Sequence, residues 1–277
     1  MLQDKTFAGE ESFAAIAIGI ALGYTVVIPD YEGPHQEWTA GIEAGRGTLD
    51  GIRAAENFPP LGLPGAGTRV GMLGYSGGSQ ATEFAAELAP NYAPELNLVG
   101  AALGGLPVNI AHIAANVNGG IFAGIYFAAA FGIARAYPQI NIDSLLNSNG
   151  KKLEQDIGGM CITQFAPTYA FQRIEQYTNN GLDPLSLPVI QQVAAADQMG
   201  VIGAPKIPMQ VYMATHDGLV VNADVDSLVA KYCAAGTKIQ YLKYPLAEHI
   251  SAAIEGLPAA LTYIQGRFAG LPAPATC

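Results

Sequence analysis

Short strand-like runs alternate with helix-like segments along this sequence, and the alternation predicts an α/β fold with a mostly parallel sheet flanked by helices. The composition agrees, because half of the 277 residues are hydrophobic and only 13% are charged, which suits helices packed on a buried sheet. One gap between predicted strands is too long for an ordinary connection. The sequence therefore predicts a single α/β domain that carries an insertion.

The first elements are predicted in the N-terminal third of the chain. Apolar residues recur at helical spacing over residues 11–22, and Gly23 follows where a helix C-terminal cap belongs. Residues 24–30 then have the β-branched, apolar composition of a strand that ends at Asp30. A weaker helical pattern follows over residues 39–56. A buried strand is then predicted over residues 68–73, and a helix with a small-residue face over residues 79–88.

Three further strands complete the predicted sheet, over residues 98–104, 208–214 and 238–244. Right-handed crossovers between them would make the sheet parallel and would place ligand sites at its C-terminal edge. We expect residues 1–106 and 206–277 to form this core. Residues 107–205 should form a helical cap, and the apolar run 119–134 within it is short of the roughly 20 residues of a membrane-spanning helix. We interpret that run as a buried or interfacial helix.

Charge and cysteine content narrow the class of function. The formal charge of −10, without a cluster of Lys and Arg, disfavours nucleic acid as a partner. Cys161, Cys233 and Cys277 lack the paired spacing of a zinc site, so no structural metal is expected. Residues 1–7 carry both charge signs and no cleavage-site pattern, so no secretory signal is predicted in the chain as given.

A nucleophile is predicted at Ser76, in the run GYSGG over residues 74–78 between a predicted strand and a predicted helix. This is the context of a nucleophile elbow, in which a sharp turn exposes the serine Oγ and Gly74 and Gly78 avoid clashes. The start of the helix would aim the Gly77 N–H at a developing oxyanion. The alternative is an ordinary glycine-rich turn with a capping serine.

A serine nucleophile needs a base and an acid, which follow it in the chain order Ser, Asp or Glu, His in this fold. Of the four histidines, only His249 follows both Ser76 and a strand that could supply the acid. Asp217 comes directly after the strand 208–214 and is the favoured acid. Asp224 and Asp226 compete with it, although a helix-capping role fits them as well. His216 is expected to line the site.

Ser76 and His249 lie in two of several stretches that resemble the secretory lipases, an α/β-hydrolase family typified by Candida antarctica lipase A. The matching stretches are VIPDYEG (27–33), LDGIR (49–53), GYSGG (74–78), YAPELN (92–97), GGLPV (104–108), NGG and FAG (118–120 and 122–124), and YPLAEH (244–249). The resemblance implies a lipase or esterase with a triad of Ser76, Asp217 and His249. It also implies an oxyanion hole of Gly77 and Asp30, although Asp30 read alone is equally a strand-end turn residue.

The resemblance has further implications for the molecule outside the triad. It implies that the helical cap forms an acyl pocket and meets a lipid surface, and that Cys233 pairs with Cys277. It also implies a protein that is secreted or lies in the cell envelope, and it implies no metal or organic cofactor. Members of the family also carry an N-terminal region with early strands that is not matched here. We therefore expect the sheet to lack a strand between residues 24–30 and the strand leading to Ser76. The chain would then be a fragment, have a misassigned start, or depend on another segment to close its sheet.

The function expected from these observations is hydrolysis of carboxylic esters, either acylglycerols or other acyl esters, through an acyl-enzyme on Ser76. One alternative is acyl transfer to, or deacetylation of, a specialised metabolite by the same residues. A second alternative is a catalytically silent binding module with a vestigial triad. No oligomeric state is predicted.

Overall fold

The computed structural model describes residues 7–277, with side-chain surroundings from residue 14 onward, so the predicted lack of a signal in residues 1–7 falls almost wholly outside it. Within the described residues the sheet has four parallel strands in the order β1-β2-β3-β4. These strands are β1 (Arg69–Tyr75), β2 (Asn97–Gly104), β3 (Met209–Ala214) and β4 (Ile239–Tyr244). Each lies within a residue or two of a predicted strand, which confirms the predicted α/β fold.

Helices flank this sheet and fill the connections between its strands. They are α1 (Phe7–Ala21), α2 (Gly41–Glu56), α3 (Gly77–Tyr92), α4 (Ile110–Val117), α5 (Ala123–Ala136), α6 (Ile142–Leu145), α7 (Ser148–Ile157), α8 (Ile162–Thr168), α9 (Pro188–Ala196), α10 (Asn222–Ala234) and α11 (His249–Phe268). Helices α4 to α9 all lie between β2 and β3, in the segment predicted to be a cap. The apolar run 119–134 is largely α5, which is mostly buried.

The two faces of the sheet are covered by different helices because successive strand side chains point to opposite sides. Val211 and Met213 of β3 belong to the large core that includes Phe84 of α3. Tyr212 between them packs in a smaller cluster with Ile264 of α11. Strand β1 and its neighbours are therefore held between α3, on which α2 packs, and α11 on the other face.

Residues 24–30 do not form the strand that the sequence predicts, and that prediction is wrong. The segment runs without a ladder partner among the described residues, and Val26, Val27 and Ile28 are 37–51% exposed. A strand requires a hydrogen-bonded neighbour as well as a suitable composition. Strand β1 is an edge of the described sheet and pairs only with β2.

Long-range polar contacts fasten the segment between β2 and β3 to the rest of the molecule. The buried Asp197 carboxylate accepts hydrogen bonds from the Gly41 and Ile42 N–H groups at 2.8 and 3.0 Å, and so caps the start of α2. Burial raises the pKa of Asp197 to about 6. The core is also continuous, since Phe127 of α5 packs in the same cluster as Phe84 of α3.

The C-terminal tail is joined to α10 by a disulfide between Cys233 and Cys277, whose Cα atoms are 5.8 Å apart. This is the pairing that the family resemblance implied. Cys161 is an exposed free cysteine at the start of α8.

Candidate active site

The backbone turns sharply at Ser76, which lies between the end of β1 and the start of α3. Its φ of 50° and ψ of −120° fall in a region that residues other than glycine rarely adopt, at a cost on the order of 1–3 kcal/mol. The Ser76 N–H donates to the Gly104 carbonyl at 2.9 Å, and its own carbonyl accepts from the Ser79 and Gln80 N–H groups. These bonds hold the strained residue at the C-terminal edge of the sheet.

The two glycines of the elbow differ in what surrounds them. A Cβ on Gly74 would lie 2.2 Å from the carbonyl oxygen of Gly78 and 2.7 Å from the Ser79 nitrogen, both backbone atoms that cannot move aside. A Cβ on Gly78 would have no heavy atom within 4 Å. The predicted steric requirement is therefore confirmed for Gly74 and wrong for Gly78.

His249 reaches Ser76 from the first residue of α11. Its Nε2 is 3.0 Å from the Ser76 Oγ, and the imidazole is buried. Helix α11 begins here because Glu248 and Ser251 form a reciprocal capping box, in which each side chain accepts from the other residue's N–H. The cap thus fixes where the histidine enters the site.

Asp217 lies behind the histidine, in the loop that follows β3. Its Oδ2 is 2.8 Å from the His249 Nδ1, and its side chain is fully buried. The other oxygen, Oδ1, accepts hydrogen bonds from the Leu219 and Val220 N–H groups, both at 2.9 Å. Hydrogen bonds to both oxygens hold the carboxylate in one orientation and stabilise its charge without solvent.

The two carboxylates that were alternatives to Asp217 bind other groups. Asp224 accepts from the His112 Nδ1 at 2.9 Å, across the contact between α10 and α4. Asp226 binds the Tyr241 hydroxyl and the Lys243 ammonium. The alternative capping role for them is wrong, because α10 starts at Asn222 and neither carboxylate bonds to its N-terminal N–H groups. Of the other histidines, His35 and His216 are exposed.

Gly77 is the first residue of α3, where helix N–H groups have no intrahelical acceptor. A Cβ on Gly77 would lie 3.4 Å from the Trp38 Nε1 and 3.7 Å from the Tyr31 hydroxyl. Burial, with the charges of Glu32 and Asp30, raises the pKa of Tyr31, so its hydroxyl keeps its proton. Sequence reasoning overlooked both side chains, although Tyr31 directly follows the predicted oxyanion residue.

Asp30 itself is exposed and takes part in a turn, where its carbonyl accepts from the Gly33 N–H at 3.3 Å. The adjoining backbone of Tyr31 lies against Gly47 of α2. The turn role weighed for Asp30 is thus present in the structure, and its oxyanion role stays a prediction.

A small apolar cavity of about 50 Å³ lies among α4, α5 and α9. Aliphatic side chains make up most of its wall, including Ile110, Ala114, Ala130, Ile133, Ile190 and Val193. None of the three hydrogen-bonded residues of the site lines it. Thr39 does line it, and Thr39 follows Trp38, whose indole nitrogen lies beside Gly77.

Two kinds of feature are absent from the described part of the chain. No helix in it is both long and apolar enough to cross a membrane. It also contains no group of three or more His, Cys, Asp or Glu side chains that could hold a metal ion.

The parallel sheet, the elbow and the histidine that follows the last strand define the class of protein, an α/β-hydrolase. The chain belongs to the secretory lipase family, whose model matches residues 3–275.

Three known proteins illustrate the similarity. Lipase A of Moesziomyces aphidis is 37% identical over 95% of this chain, and a probable inactive lipase of Mycobacterium tuberculosis is 33% identical over 93% of it. The crystal structure of Candida antarctica lipase A in its closed state matches 97% of this chain at a TM-score of 0.89 and 33% identity. The chain spans 58% of the length of each of the first two proteins and 63% of the third.

Proposed function

We propose that this chain hydrolyses carboxylic esters, with Ser76 as nucleophile, His249 as base and Asp217 as the acid that orients the base. The observation that carries the proposal is the continuous hydrogen-bonded chain from the Ser76 Oγ through the imidazole to the buried Asp217 carboxylate. A serine hydroxyl is a weak nucleophile at neutral pH and requires such a base. Membership of the secretory lipase family supports the same chemistry.

The proposed reaction proceeds in two halves. His249 Nε2 takes the proton from the Ser76 Oγ as the oxygen attacks the ester carbonyl, and the imidazolium then gives that proton to the departing alcohol. Water attacks the acyl-enzyme with the same base, which releases the carboxylic acid and restores the serine. Asp217 accepts a hydrogen bond from Nδ1–H and stabilises the transient imidazolium.

The negative oxygen of each tetrahedral intermediate requires nearby donors. The Gly77 N–H is the proposed first donor, since it opens α3 directly after the nucleophile. Asp30 is the proposed second contributor, on the family resemblance and on its place next to Tyr31, whose hydroxyl lies near Gly77.

The proposed substrate is an ester with an acyl chain, either an acylglycerol or a simpler acyl ester. The aliphatic cavity supports this, because burying methylene groups is favourable by about 0.8 kcal/mol each. We assign residues 107–205 as a cap that encloses the acyl group and meets the lipid surface. Secretion, or a place in the cell envelope, is proposed from the family and from relatives described as secreted.

A second candidate is a catalytically silent protein of the same fold. The specific observation in its favour is the relative described as a probable inactive lipase, which is 33% identical over most of this chain.

A fluorophosphonate probe separates the two candidates, because it modifies only a serine that is activated as a nucleophile. We expect labelling of Ser76 in the folded protein and none in Ser76→Ala or His249→Ala. A series of p-nitrophenyl esters from acetate to palmitate then ranks the acyl chain lengths that the protein accepts. If the folded protein is neither labelled nor active, the first candidate is refuted and the catalytically silent candidate is supported.

A further inference from the structure

Tyr75 lies between the strand that carries the nucleophile and the helix that carries the base. It is the last residue of β1, and its side chain points to the α11 face of the sheet. Its hydroxyl donates to the backbone carbonyl of His249 at 2.5 Å. Its ring centroid lies 5.4 Å from that of the imidazole.

The surrounding residues leave space for this one arrangement of the phenol. Gly105 has a φ of +58°, and a Cβ there would lie 2.8 Å from the Tyr75 ring and 3.0 Å from the His249 imidazole. A Cβ on Gly104 would lie 2.5 Å from the same ring. On its other side Tyr75 packs against Tyr212, with ring centroids 5.8 Å apart. The phenol is therefore confined by packing, as a positioning group must be.

The segment that leads from β4 to His249 is held by the capping box of Glu248 and Ser251 and by two longer backbone bonds. Leu246 is 93% exposed. The nearby backbone bonds are long, at 3.4 Å from the Ala247 N–H to the Tyr244 carbonyl and 3.3 Å from the His216 N–H to the Ala247 carbonyl. The bond from Tyr75 is the shortest of these contacts, and it acts on the histidine itself.

We propose that Tyr75 is a positioning residue, whose hydroxyl fixes the His249 backbone so that Nε2 stays within hydrogen-bond distance of the Ser76 Oγ. Because Tyr75 is covalently joined to Ser76, it couples the nucleophile directly to the start of α11. A misplacement of about 1 Å in such a site can lower the rate on the order of 100-fold. This inference rests on the proposed function.

The test compares Tyr75→Phe, which keeps the ring and removes the hydroxyl, with Tyr263→Phe. Tyr263 packs in the same aromatic cluster, and its buried hydroxyl has no hydrogen-bond partner in the described part of the chain. We expect Tyr75→Phe to lower kcat on a p-nitrophenyl ester by about 10–100-fold with KM within twofold. Fluorophosphonate labelling should slow by a similar factor. Tyr263→Phe should leave both within twofold.

A double-mutant cycle separates positioning of the base from a general structural defect. In a His249→Ala background there is no imidazole to position, so adding Tyr75→Phe should change the residual kcat by less than twofold. An equal loss in both backgrounds would overturn the proposal. So would kcat and labelling rates of Tyr75→Phe that match those of the wild type within twofold.

Failure of the proposed function has a different signature, since the wild type would then neither react with the probe nor hydrolyse esters. In that case the ¹⁵N NMR signals of the His249 imidazole test the role of Tyr75, because they can be recorded in the absence of catalysis. We expect them to move in Tyr75→Phe and to stay in place in Tyr263→Phe. Unchanged signals in both variants would refute the positioning role.

Discussion

Gly74 and Gly78 flank Ser76 symmetrically in the sequence, yet only Gly74 lies against backbone at the place of a side chain. A methyl group cannot be accommodated there by rotating a neighbour, because carbonyl and amide atoms of α3 occupy the space. The strained turn at Ser76 thus depends on contact between the end of β1 and the first turn of α3.

We expect Gly74→Ala to lower the free energy of unfolding by about 1–3 kcal/mol, since overpacked sites relax only by shifting backbone. The same shift should displace Ser76 and abolish most fluorophosphonate labelling. Urea unfolding and labelling of Gly74→Ala and Gly78→Ala provide the comparison. Equal effects of the two substitutions would contradict this account.

The role of Asp217 is tested by Asp217→Asn, which keeps the side-chain shape and removes the charge. We expect kcat to fall on the order of 10⁴-fold, because an amide cannot hold the imidazole in the right tautomer or stabilise the imidazolium. Asp224→Asn is the matched control, since that carboxylate binds His112 away from Ser76. Ester hydrolysis by Asp217→Asn that is reduced less than tenfold would exclude Asp217 as the acid.

Chain order and strand ends were enough to select Ser76, Asp217 and His249, which the structure brings together. They were not enough to select Tyr31, Trp38 or Tyr75. A triad has a fixed order along the chain in this fold, so local patterns suffice to propose it. Packing partners across the sheet and loops have no such order and follow only from the folded geometry.

At the scale of elements, a buried pair of carboxyl groups joins α3 to α10. Glu83 and Glu87 both lie inside the protein, and the Tyr232 hydroxyl is within hydrogen-bond distance of both carboxyl groups. Glu87 also accepts from the N–H groups of Ile202 and Gly203, each at 3.0 Å. Burial, together with the neighbouring Glu87, raises the pKa of Glu83 well above its ordinary value of 4.5.

This pair predicts that the protein is more stable in mild acid than in base. Above about pH 4.5 the folded state keeps a proton on Glu83 that the unfolded chain has lost, so the free energy of unfolding should fall as the pH rises. Asp197 acts in the same direction only up to its pKa of about 6. Urea unfolding of the wild type and of Glu83→Gln at a series of pH values above 4.5 measures the contribution of Glu83.

Glu83→Gln should flatten this decline, because the amide does not titrate. Glu87→Gln is the contrasting variant, since it disturbs acceptors for backbone N–H groups and should destabilise the protein at every pH. A slope in Glu83→Gln equal to that of the wild type would show that another group causes the dependence.

The elements themselves differ in how far sequence could predict them. Strands β1 to β4 have both an apolar composition and a neighbour, and they were predicted closely. Residues 24–30 have the same composition and lack a neighbour among the described residues, so they form no strand. The cap on α2 was also beyond prediction, because Asp197 lies 156 residues along the chain from Gly41.

At the scale of the whole molecule, the two outer strands of the described sheet differ in what covers their outer edges. Strand β1 pairs only with β2, whereas the outer side of β4 bonds to the C-terminal tail. The Thr276 N–H donates to the Ile239 carbonyl at 2.7 Å, and the Tyr241 N–H donates to the Thr276 Oγ1 at 3.1 Å. The tail thus covers β4, and the disulfide at Cys277 holds it there.

Loss of this disulfide should therefore destabilise the whole domain and leave the chemistry of the site in place. We expect Cys233→Ser with Cys277→Ser to lower the free energy of unfolding by about 2–4 kcal/mol, because the unfolded chain gains the freedom of an open loop. Fluorophosphonate labelling of the folded variant should stay within twofold, since the tail lies at β4, away from Ser76. Cys161→Ser, which removes an exposed free thiol, is the control and should unfold like the wild type. Equal stability of the double variant and this control would show that the hydrogen bonds of Thr276 hold the tail without the disulfide.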